Sequence, residues 1–194
     1  MVKLIGKNKI NAVIFFSGKG SNLKNLIIFS KKKKSPIKVS FVVSSNRKAN
    51  GIILAKKKGI KCLIFDFKKK GIVEKKILKL LKKNKIKIIL LAGFMKILSK
   101  KFIKIFRYPI INIHPSLLPK YKGLNTHERV IKNKEKFSGC TVHLINEKLD
   151  SGKIIMQKKL KVYKSDDSLS LKKRILKEEH KLYPVAISRF LSNL

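Results

Sequence analysis

Asn11–Asn22 reads NAVIFFSGKGSN. Asn11–Ser17 holds an unbroken apolar run. A strand covered on both faces of a parallel sheet needs such a run, because it has no solvent side on which to place polar residues. Gly18-Lys19-Gly20-Ser21 then breaks the strand, and Asn22–Phe29 takes up helical spacing. Strand, glycine turn and helix in that order make the first half of a βαβ unit. Outward from it the alternation continues. The Lys31–Lys34 run and Pro36 end the first helix, and Ile37–Val43 is a second strand. Ala49–Lys58 is a short helix stopped by Gly59, and Cys62–Phe67 is a third short strand. Ile72, Lys76 and Leu80, with Ile77 and Leu81 alongside, predict a helix to Lys83. Ile86–Leu91 is a fourth strand. Ser99 caps a short helix through Phe106, and Ile110–Ile113 is a fifth strand. After a connection rich in Gly and Pro, Thr141–Ile145 and Ile154–Val162 read as two more strands, expected to be antiparallel. Ser168 caps a final helix to about Leu191. The expected fold is α/β: a single domain over residues 1–194, with a doubly wound, mostly parallel sheet and helices on both faces.

Composition narrows the function. The chain has 194 residues, 49 Lys plus Arg against 10 Asp plus Glu, and a net charge of +39. That charge points to nucleic acid or an anionic surface, but its distribution does not. Lys and Arg are spread over both halves, only five are Arg, and no aromatic ladder interleaves with them. A specific nucleic-acid partner is therefore not expected, whereas weak salt-sensitive binding is. The longest wholly apolar run, Ile88–Met95, has eight residues against the roughly 20 that span a bilayer. MVKLIGKNKI at the N-terminus lacks a signal-peptide core. No membrane partner is expected. Cys62 and Cys140 read as reduced thiols of a cytoplasmic protein.

In a doubly wound sheet, ligands bind beyond the carboxyl ends of the strands. Three constellations fall there. Ser17–Asn22 offers glycines and a helix N-terminus, which suit an anion; it is equally compatible with a plain tight turn. Asn112 and His114, two apart at a strand end, point the same way. An amide beside an imidazole can stabilise an oxyanion and relay a proton, and the same pair fits a rigid structural turn. Asp150-Ser151-Gly152 is either a turn or a carboxylate placed against an imidazole. His127, His143 and His180 show no metal spacing, so no metal is expected. No nucleophile elbow is present, and Cys140 reads as an apolar strand residue.

Taken together these segments resemble the phosphoribosylglycinamide formyltransferase family of purine synthesis. The likeness runs from about Asn11 to Phe190. It is carried by SGKGSNL, by LAGFMKILS (Leu91–Ser99), by INIHPSLLPKYKGLNTH (Ile111–His127), by TVHLINEKLDSGKIIMQ (Thr141–Gln157) and by EEHKLYP (Glu178–Pro184). The resemblance implies transfer of a formyl group from 10-formyltetrahydrofolate, a cosubstrate, to the amine of glycinamide ribonucleotide, with no acyl-enzyme. It implies Asn112, His114 and Asp150 as the catalytic trio. It implies Gly20, Ser21 and Asn22 around the substrate phosphate, and Glu179 on the ribose. Met95, Lys96, Ile97, Leu98, Asn146, Glu147, Lys148, Leu149 and Asp150 would line the folate site, with Asn112 at its edge. Lys70 would replace a folate-contacting Arg of bacterial relatives, without the bidentate fork. Leu176 stands where a polar substrate contact is common. His143 matches a family histidine near the site and is equally a satisfied strand histidine. A monomer or a homodimer is compatible.

Two relatives share this trio. Methionyl-tRNA formyltransferase adds a C-terminal RNA-binding domain, and only about ten residues follow Pro184. Formyltetrahydrofolate hydrolase adds an N-terminal domain, and only about ten residues precede the first strand. Both are therefore less expected, as is a degenerate basic RNA-binding protein. A net charge of +39 repels itself, and salt screens that repulsion. Moderate salt is expected to raise the melting temperature, and a thermal melt across a salt titration that stays flat or falls would contradict this.

Overall fold

The computed structural model describes residues 9–193; the reading of residues 1–8 as lacking a signal core lies outside them. Seven strands are ordered β3-β2-β1-β4-β5-β6-β7. The chain divides into two compact units, residues 1–111 with 188–194, and residues 112–187.

The first unit holds β1 (Ile10–Phe16), α1 (Ser21–Lys31), β2 (Ile37–Ser44), α2 (Gly51–Lys57), β3 (Cys62–Ile64), a 3-10 turn (Phe67–Lys69), α3 (Lys70–Lys83), β4 (Ile88–Leu91) and α4 (Lys100–Phe106). β1 pairs in parallel with β2 and β4, and β2 with β3. Ala12–Phe16 have no exposed surface, as the apolar run requires. Full burial of each large side chain there contributes about 1.5–3 kcal/mol.

Two expectations are corrected here. The third strand stops at Ile64 rather than Phe67, because Asp66 accepts the amide of Lys68 at 3.0 Å and starts the 3-10 turn. The buried face of α3 is Val73, Ile77 and Leu81, while Ile72 is 55% exposed. Ser99 does cap α4, accepting the Phe102 amide at 3.0 Å.

The second unit holds the end of β5 (Ile110–His114), then α5 (Thr126–Lys132), β6 (Phe137–Leu144), β7 (Ile154–Lys161) and most of α6 (Ser168–Ser192). β6 and β7 are antiparallel, as expected. The sequence reading has no counterpart for α5, whose seven residues carry too few apolar positions to show a period. It also starts β6 four residues late. The cap of α6 is Asp167, not Ser168: Asp167 Oδ1 accepts the Ser170 amide at 2.6 Å, and Ser170 Oγ accepts the Asp167 amide at 3.0 Å. This reciprocal pair satisfies two amides of the helix start. No helix among the described residues is long and apolar enough to cross a membrane.

Ser99 also donates its hydroxyl to the buried Glu74 carboxylate, whose other oxygen accepts the Ser99 amide at 2.8 Å. Ser99→Ala removes the cap and one of two donors to a buried charge. It is expected to lower the unfolding free energy by about 1–3 kcal/mol in urea titration.

Candidate active site

In the second unit, the chemistry gathers where β5 and β6 end. Asn112 and His114 share one face of β5, as their spacing predicts. The imidazole that Asn112 hydrogen-bonds, however, is His143 on β6, with Nδ2 3.2 Å from Nε2. His143 Nδ1 donates to the Leu144 carbonyl at 2.9 Å, which leaves Nε2 as an acceptor for the amide. His143 is fully buried, and that burial pushes its pKa below the usual histidine range despite the nearby Asp150. A neutral ring thus orients the Asn112 amide and leaves its second N–H available.

His114 takes the opposite tautomer. Its Nε2 donates to the Tyr121 carbonyl at 2.8 Å, so Nδ1 is the free lone pair. Asp150 Oδ2 lies 3.4 Å from Nδ1, and Asp150 Oδ1 lies 3.7 Å from His143 Nε2. Asp150 therefore faces the nitrogen of His114 that gains a proton. The group that fixes the ring's tautomer is a backbone carbonyl. Asp150 sits at φ 44, in the left-handed region that Asp tolerates, and its Oδ2 accepts the Gly123 amide at 2.9 Å. Gly152 follows because a Cβ there would sit 1.7 Å from the Leu144 carbonyl oxygen.

The connection after His114 is held by residues to which the sequence reading assigned no role. Thr141 donates its hydroxyl to the Ser116 carbonyl at 2.7 Å and accepts the Leu118 amide at 3.1 Å. Gln157, its partner in the β6–β7 register, donates to Thr141 Oγ1 at 2.8 Å and to the Leu118 carbonyl at 2.9 Å. Ser116 Oγ donates to the Lys120 carbonyl at 2.7 Å. The Leu118–Pro119 bond is cis. Tyr121 has φ 56, a conformation costing a side-chain-bearing residue about 1–2 kcal/mol. The quoted motifs end on Thr141 and Gln157, and that was the available signal.

The first unit carries the anion loop. Gly20 stands at φ 83 before α1, and a Cβ there would meet Gly51 Cα at 2.8 Å. Ser21 opens α1, and Asn22 is buried in its first turn. No side chain caps this helix, so its first amides point at the loop. Ser17 ties the loop to the segment after β4: its hydroxyl accepts the Met95 amide at 2.8 Å, and its own amide donates to the Gly93 carbonyl at 3.1 Å. In that segment Met95, Lys96 and Ile97 are exposed and Leu98 is buried. Lys70 opens α3, between Phe67, whose ring meets Phe94 at 5.4 Å, and Glu74, which holds Ser99. Thus Lys70 belongs to an element fastened to this segment on both sides.

In the second unit Asn146, Glu147, Lys148 and Leu149 are exposed on the turn leading to Asp150, and Glu179 is buried on α6. Cys140 is buried, and its thiol is pushed up to about 12 by that burial and by Glu179 and Glu178, so it stays protonated. No group of side chains that could hold a metal occurs among the described residues.

Residues 10–187 match the protein family described as "Formyl transferase". The "Phosphoribosylglycinamide formyltransferase" of Haemophilus influenzae is 36% identical over 180 residues, covering 91% of this chain and 85% of that protein. The chicken "Trifunctional purine biosynthetic protein adenosine-3" is 37% identical over 186 residues, yet this chain spans 18% of its length. The crystal structure of the Brucella melitensis phosphoribosylglycinamide formyltransferase is 40% identical, with a TM-score of 0.89 over 96% of this chain and 98% of that one.

His127, on α5, has a buried Nδ1 without a hydrogen-bond partner. Burial first, then Lys172 and His114, lower its pKa to about 4. The unfolded chain therefore binds this proton first as pH falls, and stability drains between about pH 6.5 and 4. His127→Gln is expected to reduce the loss of unfolding free energy between pH 7 and pH 5 by about 1–2 kcal/mol, read from urea titrations at both pH values. Equal losses in both proteins would contradict it. The fold, the hydrogen-bonded cluster and these matches together place the chain in the formyl transferase family.

Proposed function

We propose that this chain transfers the formyl group of 10-formyltetrahydrofolate to the amine of glycinamide ribonucleotide. The observation that carries the reading is the cluster of Asn112, His114, His143 and Asp150, in which each imidazole has a defined tautomer and one amide N–H stays open. The amine attacks the formyl carbon directly, and the formyl oxygen gains negative charge. The open N–H of Asn112 donates to that oxygen. His114 Nδ1 takes the proton the amine loses, and Asp150, 3.4 Å away, stabilises the imidazolium. The proton then passes to the leaving nitrogen of the folate. No bond to the enzyme forms.

Gly20, Ser21 and Asn22 hold the ribonucleotide phosphate through the first amides of α1. Glu179 takes the ribose. The exposed apolar side chains of Met95, Ile97 and Leu149 cover the folate, with the backbone at Lys96, Leu98 and 146–150 supplying hydrogen bonds. Lys70 meets the folate carboxylate as a point charge. The reaction needs no metal and takes place in the cytoplasm, in a monomer or a homodimer.

The test is a purified-protein assay supplying both substrates and following tetrahydrofolate release. Turnover is expected to require both. His114→Ala is expected to lose about 10²–10⁴ in kcat, and Asn112→Ala about 10²–10³. Release without the amine would replace this reading with hydrolysis. Absence of turnover alongside salt-sensitive RNA binding would overturn it.

A further inference from the structure

The tautomer of His114 rests on a residue with no apparent reason to hold its backbone as it does. Tyr121 is left-handed, and a side-chain-bearing residue keeps that conformation only where its surroundings over-determine it. The surroundings are specific. The Tyr121 hydroxyl donates to Glu135 Oε1 at 2.9 Å and accepts from Asn133 Nδ2 at 2.9 Å. The Arg129 guanidinium lies 5.1 Å from the ring centroid. Lys120 Nζ reaches the same Glu135 oxygen at 2.9 Å. Its side chain is 66% exposed against 24% for Glu135, so the hydroxyl is the firmer of the two partners. On the backbone side, the Tyr121 carbonyl takes the His114 Nε2 proton and a longer contact from Ser116 Oγ at 3.3 Å. Two residues on, the Gly123 amide donates to Asp150. One short loop therefore sets both the ring and the carboxylate of the acid–base pair.

We propose that Glu135 is a positioning residue for formyl transfer: by anchoring the Tyr121 hydroxyl, it holds the Tyr121 carbonyl on His114 Nε2 and keeps Nδ1 as the proton-accepting nitrogen. This rests on the reading of His114 as the base. Glu135 touches neither ring nor substrate. It acts on the partition between two imidazole tautomers, of which one presents its lone pair to Asp150 and the other does not.

The test combines kinetics with nitrogen-15 NMR of the histidine rings. In the wild-type protein His114 is expected as the Nε2–H tautomer. In Glu135→Ala and in Tyr121→Phe, which deletes a single oxygen, the ring is expected to become a mixture. There kcat should fall about 5- to 20-fold, with KM for both substrates within twofold. Glu135→Gln, whose amide oxygen still accepts from the hydroxyl, should recover most of kcat and the single tautomer. A second substitution at Tyr121 in Glu135→Ala should add little, since both act through one bond. If either variant loses kcat while the tautomer is unchanged, or if Tyr121→Phe melts earlier with kcat intact, the proposal fails. The NMR arm reads without turnover. A wild-type protein with the Nε2–H tautomer but no formyl transfer would overturn the functional reading and leave the positioning geometry standing.

Discussion

A strand buried on both faces cannot present a side chain to a substrate. β1, sealed from Ala12 to Phe16, imposes that constraint on the first unit, and β4 is sealed likewise. Chemistry is displaced to the strand ends. Ser17, directly after β1, shows how closely: its hydroxyl and amide fasten the glycine loop to the Gly93–Met95 backbone that follows β4. The same holds in the second unit, where Asn112 and His114 finish β5, His143 is the penultimate residue of β6, and Asp150 stands in the turn between β6 and β7. An apolar centre with polar ends lets a rigid sheet carry reactive groups without burying unpaired charge.

That division also explains what could be read from the sequence. Continuous apolar runs announce buried strands, and the glycines after β1 announce a turn; the alternation that follows locates Asn112, His114 and Asp150 at chain positions where ligands meet such sheets. Contacts between distant residues leave no such trace. Nothing local to Asn112 shows that its amide meets His143, thirty-one residues later, rather than His114. Nothing local to Tyr121 shows that its carbonyl fixes an imidazole, because a backbone acceptor is present at every residue and has no letter of its own. The missed α5 and the early end of β3 have a different cause: both are short, so local hydrogen bonds such as Asp66 to the Lys68 amide decide them.

In a chain with ten carboxylates against forty-nine basic residues, the placement of the acids is informative. Asp66 starts the turn before α3, Glu74 holds the cap of α4, Asp167 caps α6, and Asp166 pairs with Arg174. Glu135 and Asp150 fix the loop around His114. Most sit where a backbone amide or a hydroxyl needs a strong acceptor, rather than across from one of the many exposed lysines, where an ion pair contributes little. The lysine excess is therefore a property of the surface, and the acids carry the local structure.

The two histidines of the cluster show how one residue type takes two roles within a few ångströms of Asp150. A carbonyl oxygen accepts only, so the nitrogen that meets it must carry hydrogen. For His143 that nitrogen is Nδ1, held by Leu144, and its Nε2 is turned to Asn112. Full burial keeps this ring neutral, so it serves as a fixed acceptor. For His114 the held nitrogen is Nε2, and Nδ1 is turned to Asp150. A proton arriving there meets a carboxylate, whereas a proton on His143 Nε2 would cost the Asn112 hydrogen bond and a charge in a sealed site. Two backbone carbonyls, one on a strand and one on a loop, thereby separate the histidine that orients from the histidine that titrates.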